Sequence, residues 1–187
     1  MSGLTDFATA AQALAAALLA STSDPADSVR VMATLANFTP NAAVPASAVG
    51  VAMQTMQAGC GDLFRRAALI ALARASSTYQ PSSFDDAVAV RTQLCTLLDQ
   101  EIQIAGNQGE DGTFNAFRAV RAAVVQDLTE RAGNLAVLKA VKTPLAVPAP
   151  VLAQRLYRDS TRADELVTQA NVVHPAFMPT NFKALSS

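Results

Sequence analysis

Residues 148–179 read PAPVLAQRLYRDSTRADELVTQANVVHPAFMP and hold most of the conspicuous residues of the chain. Pro148 and Pro150 suit the first turn of a helix, because the N–H that proline lacks would have no helical partner there. Apolar residues then recur at helical spacing as far as Tyr157. The sequence therefore predicts a short helix from about Pro150 to Tyr157.

A second short helix is predicted directly after the first one. Asp159, Ser160 and Thr161 offer side-chain oxygens that accept hydrogen bonds from free backbone N–H groups, so we expect this helix to start near Thr161. Asn171 is a typical residue for a helix end. The prolines that follow push the residues before them into extended backbone, which excludes further helix.

Alternation of Leu135, Val137 and Lys139 hints at an edge strand before these two helices. We take Val137–Lys142 as this strand and Phe182–Leu185 as a second one, for which the only indication is the similarity to a known module described below. The prolines of Pro144–Pro150 should make the connection after the first strand stiff. Residues 134–187 are therefore predicted to form a small α/β module in the order strand, helix, helix, strand.

The first two thirds of the chain are predicted to be helical. Caps, glycine stops and apolar periodicity favour a mainly α fold, with a helical bundle over residues 1–133 followed by the small module. Thr39–Pro45 is predicted to be a loop. The expected helices run over about residues 5–21, 25–37, 47–59, from Asp62 onward, 83–105 and 113–133.

Composition narrows the class of protein. The chain has 187 residues, of which 51% are hydrophobic and 16% charged, so it must bury much of its surface internally or against partners. Aromatic residues make up 5% and tryptophan is absent, which weighs against stacking sites for sugars or single-stranded nucleic acid. The apolar run Ala8–Ala20 is too short to cross a membrane and lacks the basic start of a signal peptide.

The charge distribution does not support DNA binding. The chain carries 14 basic and 15 acidic side chains. Residues 135–187 hold six basic and three acidic ones, which is far from the clustered lysine and arginine that DNA binding requires.

No set of residues predicts catalysis, a metal site or a cofactor. The single histidine, His174, precedes a proline in a predicted loop, and no pair of His or Cys ligands has metal-type spacing. Cys60 and Cys95 are interpreted as buried free thiols. A lytic transglycosylase would need a glutamate in a cleft, but all the candidate glutamates are expected on exposed faces or in loops: Glu101, Glu110, Glu130 and Glu165.

Two stretches resemble a known family. RLYRDSTRADELV, residues 155–167, followed by HPAFMP, residues 174–179, resembles the C-terminal part of the Mu-like phage DNA circulation proteins, which are components of contractile tails and related prophage particles. A weaker resemblance extends upstream over residues 116–141. The family commonly has glycine where this chain has Arg158. Its members are also longer, so we expect this chain to be a C-terminal fragment or a short relative.

The resemblance implies a structural component of a phage tail or baseplate, which acts by protein contacts in tail assembly and in DNA delivery or circularisation. It implies tape-measure and baseplate hub proteins as partners, a homo-oligomer within the assembly, and no membrane. The family name also implies DNA as a partner, which the charge distribution does not support. The protein would be made in the host cytoplasm and end in the virion tail.

The order of elements predicted for residues 134–187 is also similar to a LysM module, which suggests peptidoglycan binding as the alternative function. Pro144–Pro150 replaces the Gly-Asp-Thr sequence usual in the first LysM loop.

Two interpretations stay open for Arg155, Arg158 and Arg162. They form a basic rim for a partner, or they pair locally with Asp159, Asp164 and Glu165. His174 is expected to pack over Tyr157 or Phe177 and to donate a hydrogen bond. The candidate interface comprises Arg155, Tyr157, Arg158, Arg162, His174 and Phe177.

Overall fold

The computed structural model describes residues 2–41 and 47–186, and their side chains from residue 5 onward. The fold is mainly helical, with 71% helix and a small two-stranded antiparallel sheet near the C-terminus, which confirms the predicted fold class. The elements are α1 Ser2–Ser21, α2 Pro25–Ala36, α3 Ala48–Thr78, α4 Phe84–Asn107, α5 Asp111–Ala132, β1 Leu138–Lys142, α6 Ala149–Tyr157, a 3₁₀ turn Ser160–Arg162, α7 Ala163–Ala170 and β2 Asn181–Leu185.

Helix α2 begins and ends where its capping residues predict. The carboxylate of Asp24 accepts a hydrogen bond of 2.9 Å from the N–H of Ala26, and Pro25 occupies the first helical position. Asn37 follows the last helical residue. The loop predicted from Thr39 to Pro45 falls largely on residues 42–46, which lie outside the described part of the chain.

Helix α3 corrects the prediction of two helices separated at Gly59. It runs without interruption for 31 residues, so Gly59 and Gly61 lie inside a helix and not in a loop. The start agrees with the prediction near Pro45 to Ser47, since the Ser47 hydroxyl caps the helix by accepting from the N–H of Gly50 at 3.1 Å. The predicted stop at Gly59 is wrong. Glycine weakens a helix by roughly 1 kcal/mol relative to alanine. That is too little to end a helix that is anchored in the core by buried residues from Gly61 onward.

Contacts divide the described residues into two compact units. The first contains the residues through Gln80 together with Ala89–Leu128, and the second contains Pro81–Val88 together with Thr129 onward. Helices α4 and α5 therefore contribute residues to both units. The boundary predicted between residues 133 and 134 stays a prediction.

The core of the first unit is aliphatic and lies between its helices. Small alanines allow close approach of α2 and α3, and leucines of α4 and α5 fill the remaining space. The buried apolar residues of this core are Ala15, Val29, Met32, Ala33, Ala36, Ala67, Ala68, Leu69, Ala71, Leu72, Ala75, Leu94, Leu97, Leu98, Phe117, Val124 and Leu128.

The second unit has the predicted order strand, helix, helix, strand. Strands β1 and β2 pair antiparallel, with Leu138 opposite Leu185 and Lys142 opposite Asn181. Because β2 alternates, Phe182 and Ala184 are buried under the helices while Lys183 is exposed. The core of this unit consists of Ala149, Leu152, Ala153, Leu166, Met178, Phe182 and Ala184.

Candidate functional site

Arg158 ends helix α6 in a left-handed conformation, with φ 59° and ψ 24°. Its N–H donates to the carbonyl of Gln154 at 3.1 Å, which closes the last turn. This conformation favours glycine, because a Cβ is crowded by the backbone there. The turn therefore has the geometry of a glycine cap although an exposed arginine occupies it.

Asp159 begins the next turn by capping it. Its carboxylate accepts hydrogen bonds from the N–H and the hydroxyl of Thr161, at 2.9 and 2.6 Å. These two hydrogen bonds lower the pKa of Asp159, the hydroxyl contributing most. Asp159 thus caps the turn through Oδ1, and the positive charge of Arg162 adds to the lowering of its pKa.

Arg162 is paired with residues of its own unit. Its guanidinium lies 3.8 Å from the ring centroid of Tyr157 and donates to both oxygens of Glu165, at 2.6 and 3.0 Å. Burial of the phenol raises the pKa of Tyr157, and the carboxylate of Glu165 adds to the shift. Of the two readings for the arginines, local pairing applies to Arg162 in this structure.

His174 and Phe177 form a second contact in the same unit. Their ring centroids are 5.6 Å apart, and Nδ1 of His174 accepts a hydrogen bond of 3.1 Å from the N–H of Ala176. The imidazole therefore packs on Phe177, one of the two expected partners, and accepts at Nδ1. The expected donor role stays a prediction for Nε2. Phe177 is 72% exposed, and Arg155 and Arg158 are exposed as well. These side chains remain accessible to a partner.

Glu101 is the largest correction to the sequence analysis. It was expected on an exposed face, but its side chain is fully buried in the first unit. Each carboxylate oxygen accepts from a different guanidinium: Nε of Arg65 at 2.6 Å and Nε of Arg66 at 2.7 Å. Both oxygens are therefore engaged, which leaves neither in position to protonate a leaving group.

The same arginines extend this ionic network outward. Arg66 also bonds to Glu110 at 2.6 Å and to Gln108 at 2.8 Å. Arg65 also pairs with Asp62. The network joins α3, α4 and the turn before α5. It could not be predicted from the sequence, because the contacts that link α3 to the other segments join residues 35 to 46 positions apart. A hint was available in the adjacent Arg65 and Arg66, which are followed by the apolar run Ala67–Ala73.

The start of α3 carries an exposed apolar surface. Every residue from Val51 to Gly59 is exposed, and Met53 and Met56 are 57% and 70% exposed. Beside them lies an open groove of about 430 Å³. We call this surface the α3 groove; its lining residues are Phe38, Pro40, Asn41, Met53, Met56, Gln57, Cys60, Gly61 and Phe64.

Both cysteines are free, as predicted, but they are half-buried where buried thiols were expected. Cys60 lines the α3 groove. Burial raises the pKa of Cys95. Among the residues that the structure describes, no three His, Cys, Asp or Glu side chains are grouped so that they could hold a metal ion. No helix in the described ranges is long and apolar enough to cross a membrane.

Comparison with protein-family models gives no match, and comparison with curated proteins gives no significant match.

Proposed function

We propose that this protein is a structural component of a contractile phage tail or baseplate and acts by protein contacts, not by turnover of a substrate. The motif RLYRDSTRADELV with HPAFMP carries this proposal, because it resembles the DNA circulation proteins of Mu-like phages. The partners would be tape-measure and baseplate hub proteins. The protein would be made in the host cytoplasm and end in the virion tail.

The structural role of the motif residues supports the proposal. Arg158 and Asn171 end the two helices in left-handed conformations, Asp159 caps the turn between them, and Met178 is 1% exposed in the core. These residues thus serve the fold of the second unit. Residues that shape turns and fill a core, and that form no reaction centre, fit a protein that assembles with others.

Exposed apolar side chains give a physical basis for such contacts. In the second unit Val173 and Phe177 are fully and 72% exposed, and in the first unit Met56 is 70% exposed. Apolar area of this kind is removed from water when another protein packs on it, which favours association.

The direct test is deletion of the gene in a host whose particles can be purified. We expect particles without functional tails by electron microscopy, restored by the wild-type gene supplied in trans, and this chain detected by mass spectrometry in purified wild-type tails. Normal tails in the deletion strain, together with absence of the chain from purified tails, would contradict the proposal.

Peptidoglycan binding is a second candidate, favoured by the order β1, α6, α7, β2 and the antiparallel pairing of its strands. The test is cosedimentation of the full chain with purified cell wall. We expect retention that falls when Phe177 is replaced by alanine. A chain that stays in the supernatant at all protein concentrations would eliminate this candidate.

A further inference from the structure

Arg74 lies on the exposed side of α3 and has no partner for its charge. Among the residues that the structure describes, its guanidinium forms no hydrogen bond, ion pair or ring contact. The first unit contains no lysine, and its other arginines all have partners: Arg30, Arg65, Arg66, Arg91, Arg118 and Arg121. Within the described part of this unit, Arg74 is therefore the cation left unpaired.

Largely apolar hollows lie on both sides of Arg74. One, of about 270 Å³, lies between α1 and α3, and Leu19 and Ile70 are among its lining residues. The other, of about 390 Å³, lies between α3 and α5, and Ile70, Val120 and Ala123 are among its lining residues. Ile70 and Arg74 line both hollows, so they form the ridge between them. We call these two residues the Arg74 ridge.

The Arg74 ridge thus combines one positive charge with apolar surface on either side. Ile70 is 38% exposed beside the guanidinium. A partner that matches this surface carries a carboxylate between two apolar side chains. The apolar side chains would exclude water from the ion pair, and a pair shielded from water is stronger than one in bulk solvent.

The width of α3 sets the spacing that the partner needs. The two hollows flank α3, and a helix is about 10 Å wide. Side chains seven positions apart on a second helix lie on one face and are separated by about 10.5 Å along its axis. A residue three or four positions after the first of them lies on the same face. A helix that crosses α3 can therefore fill both hollows and place an Asp or Glu on Arg74.

Charge argues against a second copy of this surface as the occupant. A two-fold pair would bring the Arg74 side chains of both copies close together, and like charges repel. Asp127 is the acidic residue among those that line the hollows, and it already has an interaction with a residue other than Arg74. The surface therefore fits a carboxylate from a different protein better than one from its own copy.

We propose that the Arg74 ridge binds an amphipathic helix of a partner protein, in which an Asp or Glu lies between two apolar residues seven positions apart. The proposal goes beyond the tail function proposed above, because it states the chemistry of the partner and the place where it binds. It holds or fails whether or not the partner is a tail protein.

Site-specific photo-crosslinking of the full chain in its host tests the proposal. p-Benzoylphenylalanine in place of Ser77, an exposed residue that lines the second hollow, should crosslink to a partner protein. Mass spectrometry of the crosslinked peptide should identify a segment with the spacing given above. Arg74→Glu should lower the yield about tenfold or more, because attraction becomes repulsion, whereas Arg74→Lys keeps the charge and should lower it much less. Arg30→Glu, at an exposed arginine of α2, is the matched control and should crosslink like wild type.

Exchange of the two charges shows whether the acid of the partner meets Arg74. Replacing that acid by arginine should abolish the crosslink to the wild-type chain, and most of the yield should return with the Arg74→Glu variant. Circular dichroism of the Arg74 variants should match wild type, because the side chain is exposed. The absence of any protein crosslink would overturn the proposal. So would a crosslink to a second copy of this chain, a crosslinked segment without an acidic residue, or a charge exchange without recovery.

The same experiment separates this proposal from the tail function. The chain present in purified tails but without the crosslink would overturn the binding of a helix and leave the tail function standing. The crosslink and its charge exchange on a protein unrelated to tails would support the Arg74 ridge as a binding surface and contradict the tail function.

Discussion

Arg158 and Asn171 are the described non-glycine residues with positive φ, at 59° and 49°. Asparagine adopts this region readily because its short polar side chain bonds to nearby backbone, whereas arginine has no such compensation. Both residues end helices of the second unit in the same left-handed conformation. The conformational free energy that this costs is larger for Arg158 than for Asn171. The strain at Arg158 is a local feature that a single substitution can remove.

Replacing Arg158 by glycine should stabilise the protein by about 1 kcal/mol, since the left-handed conformation costs an L-residue roughly 1–2 kcal/mol and part of the gain is offset by the greater backbone freedom of unfolded glycine. Urea denaturation at constant pH measures the change. Arg155→Gly is the matched control: it places glycine inside helix α6 and should destabilise by about 0.5–1 kcal/mol. Equal effects of the two substitutions would show that Arg158 is not strained.

At the scale of elements, Gly59 and Gly61 have different environments in one helix. A Cβ at Gly61 would lie 2.9 Å from two ring atoms of Pro40, whereas a Cβ at Gly59 would have no neighbour within 4 Å. Gly61 is therefore required by packing between α3 and the segment after α2. Gly59 is not required by any contact with the residues that the structure describes.

Gly61→Ala should destabilise the protein by about 1–3 kcal/mol, because the rigid proline ring must move. Gly59→Ala should stabilise it by about 0.5–1 kcal/mol through helix propensity. The two variants are controls for each other, and thermal or urea unfolding distinguishes them. A gain in stability for both would mean that Pro40 yields without cost.

The ionic network around Glu101 ties α3 to α4 and supports a second prediction at this scale. Glu101→Gln leaves two largely buried guanidinium groups without their shared carboxylate, which should cost about 3 kcal/mol. Glu110→Gln removes a partner whose side chain is 41% exposed and should cost about 1 kcal/mol or less. Denaturation curves in low and high salt check both, and a similarly small loss for the two variants would contradict a structural role for Glu101.

On the scale of the whole molecule, the second unit is assembled from separate stretches of chain. The N–H of Phe84 donates to the carbonyl of Ala136 at 3.0 Å, and the carboxylate of Asp85 accepts from the N–H of Leu138 at 2.7 Å. The start of α4 thus anchors the entry to β1. Residues about fifty positions apart in sequence hold one strand in place.

Asp85→Ala should therefore destabilise the second unit by about 2 kcal/mol, because a charge-assisted hydrogen bond is lost and the N–H of Leu138 is left without its acceptor. Asp85→Asn retains an oxygen acceptor and should lose less than half as much. Amide hydrogen exchange of Leu138 measures the local effect. Unchanged exchange in the alanine variant would mean that β1 does not depend on this contact.

Local signals explain how much of the fold could be predicted. Capping residues, prolines and Asn171 act within one turn, and they gave the bounds of α2, α6 and the final turns closely. The continuous helix α3 could not be predicted, because whether a glycine ends a helix depends on packing along the rest of it. Long-range pairing hid Glu101 as well, since its guanidinium partners are on another helix.

The candidate interface was predictable only in part. Sequence spacing identified Tyr157, Arg162, His174 and Phe177 as an unusual group, and the structure brings them together as two contacting pairs. The apolar start of α3 was missed, because methionine and valine in a helix read equally well as core. Exposure is a property of the folded chain, and it cannot be read from periodicity alone.

The second unit is built from two separate stretches of the chain, and this limits where recombination between related genes can join two sequences. A crossover between residues 133 and 134 would transfer both strands and both short helices but leave behind Pro81–Val88, which supplies the acceptor for Leu138. A recipient would need an equivalent of Asp85 at the start of its own helix. Recombination upstream of Pro81 keeps the unit whole, so inheritance should favour that junction.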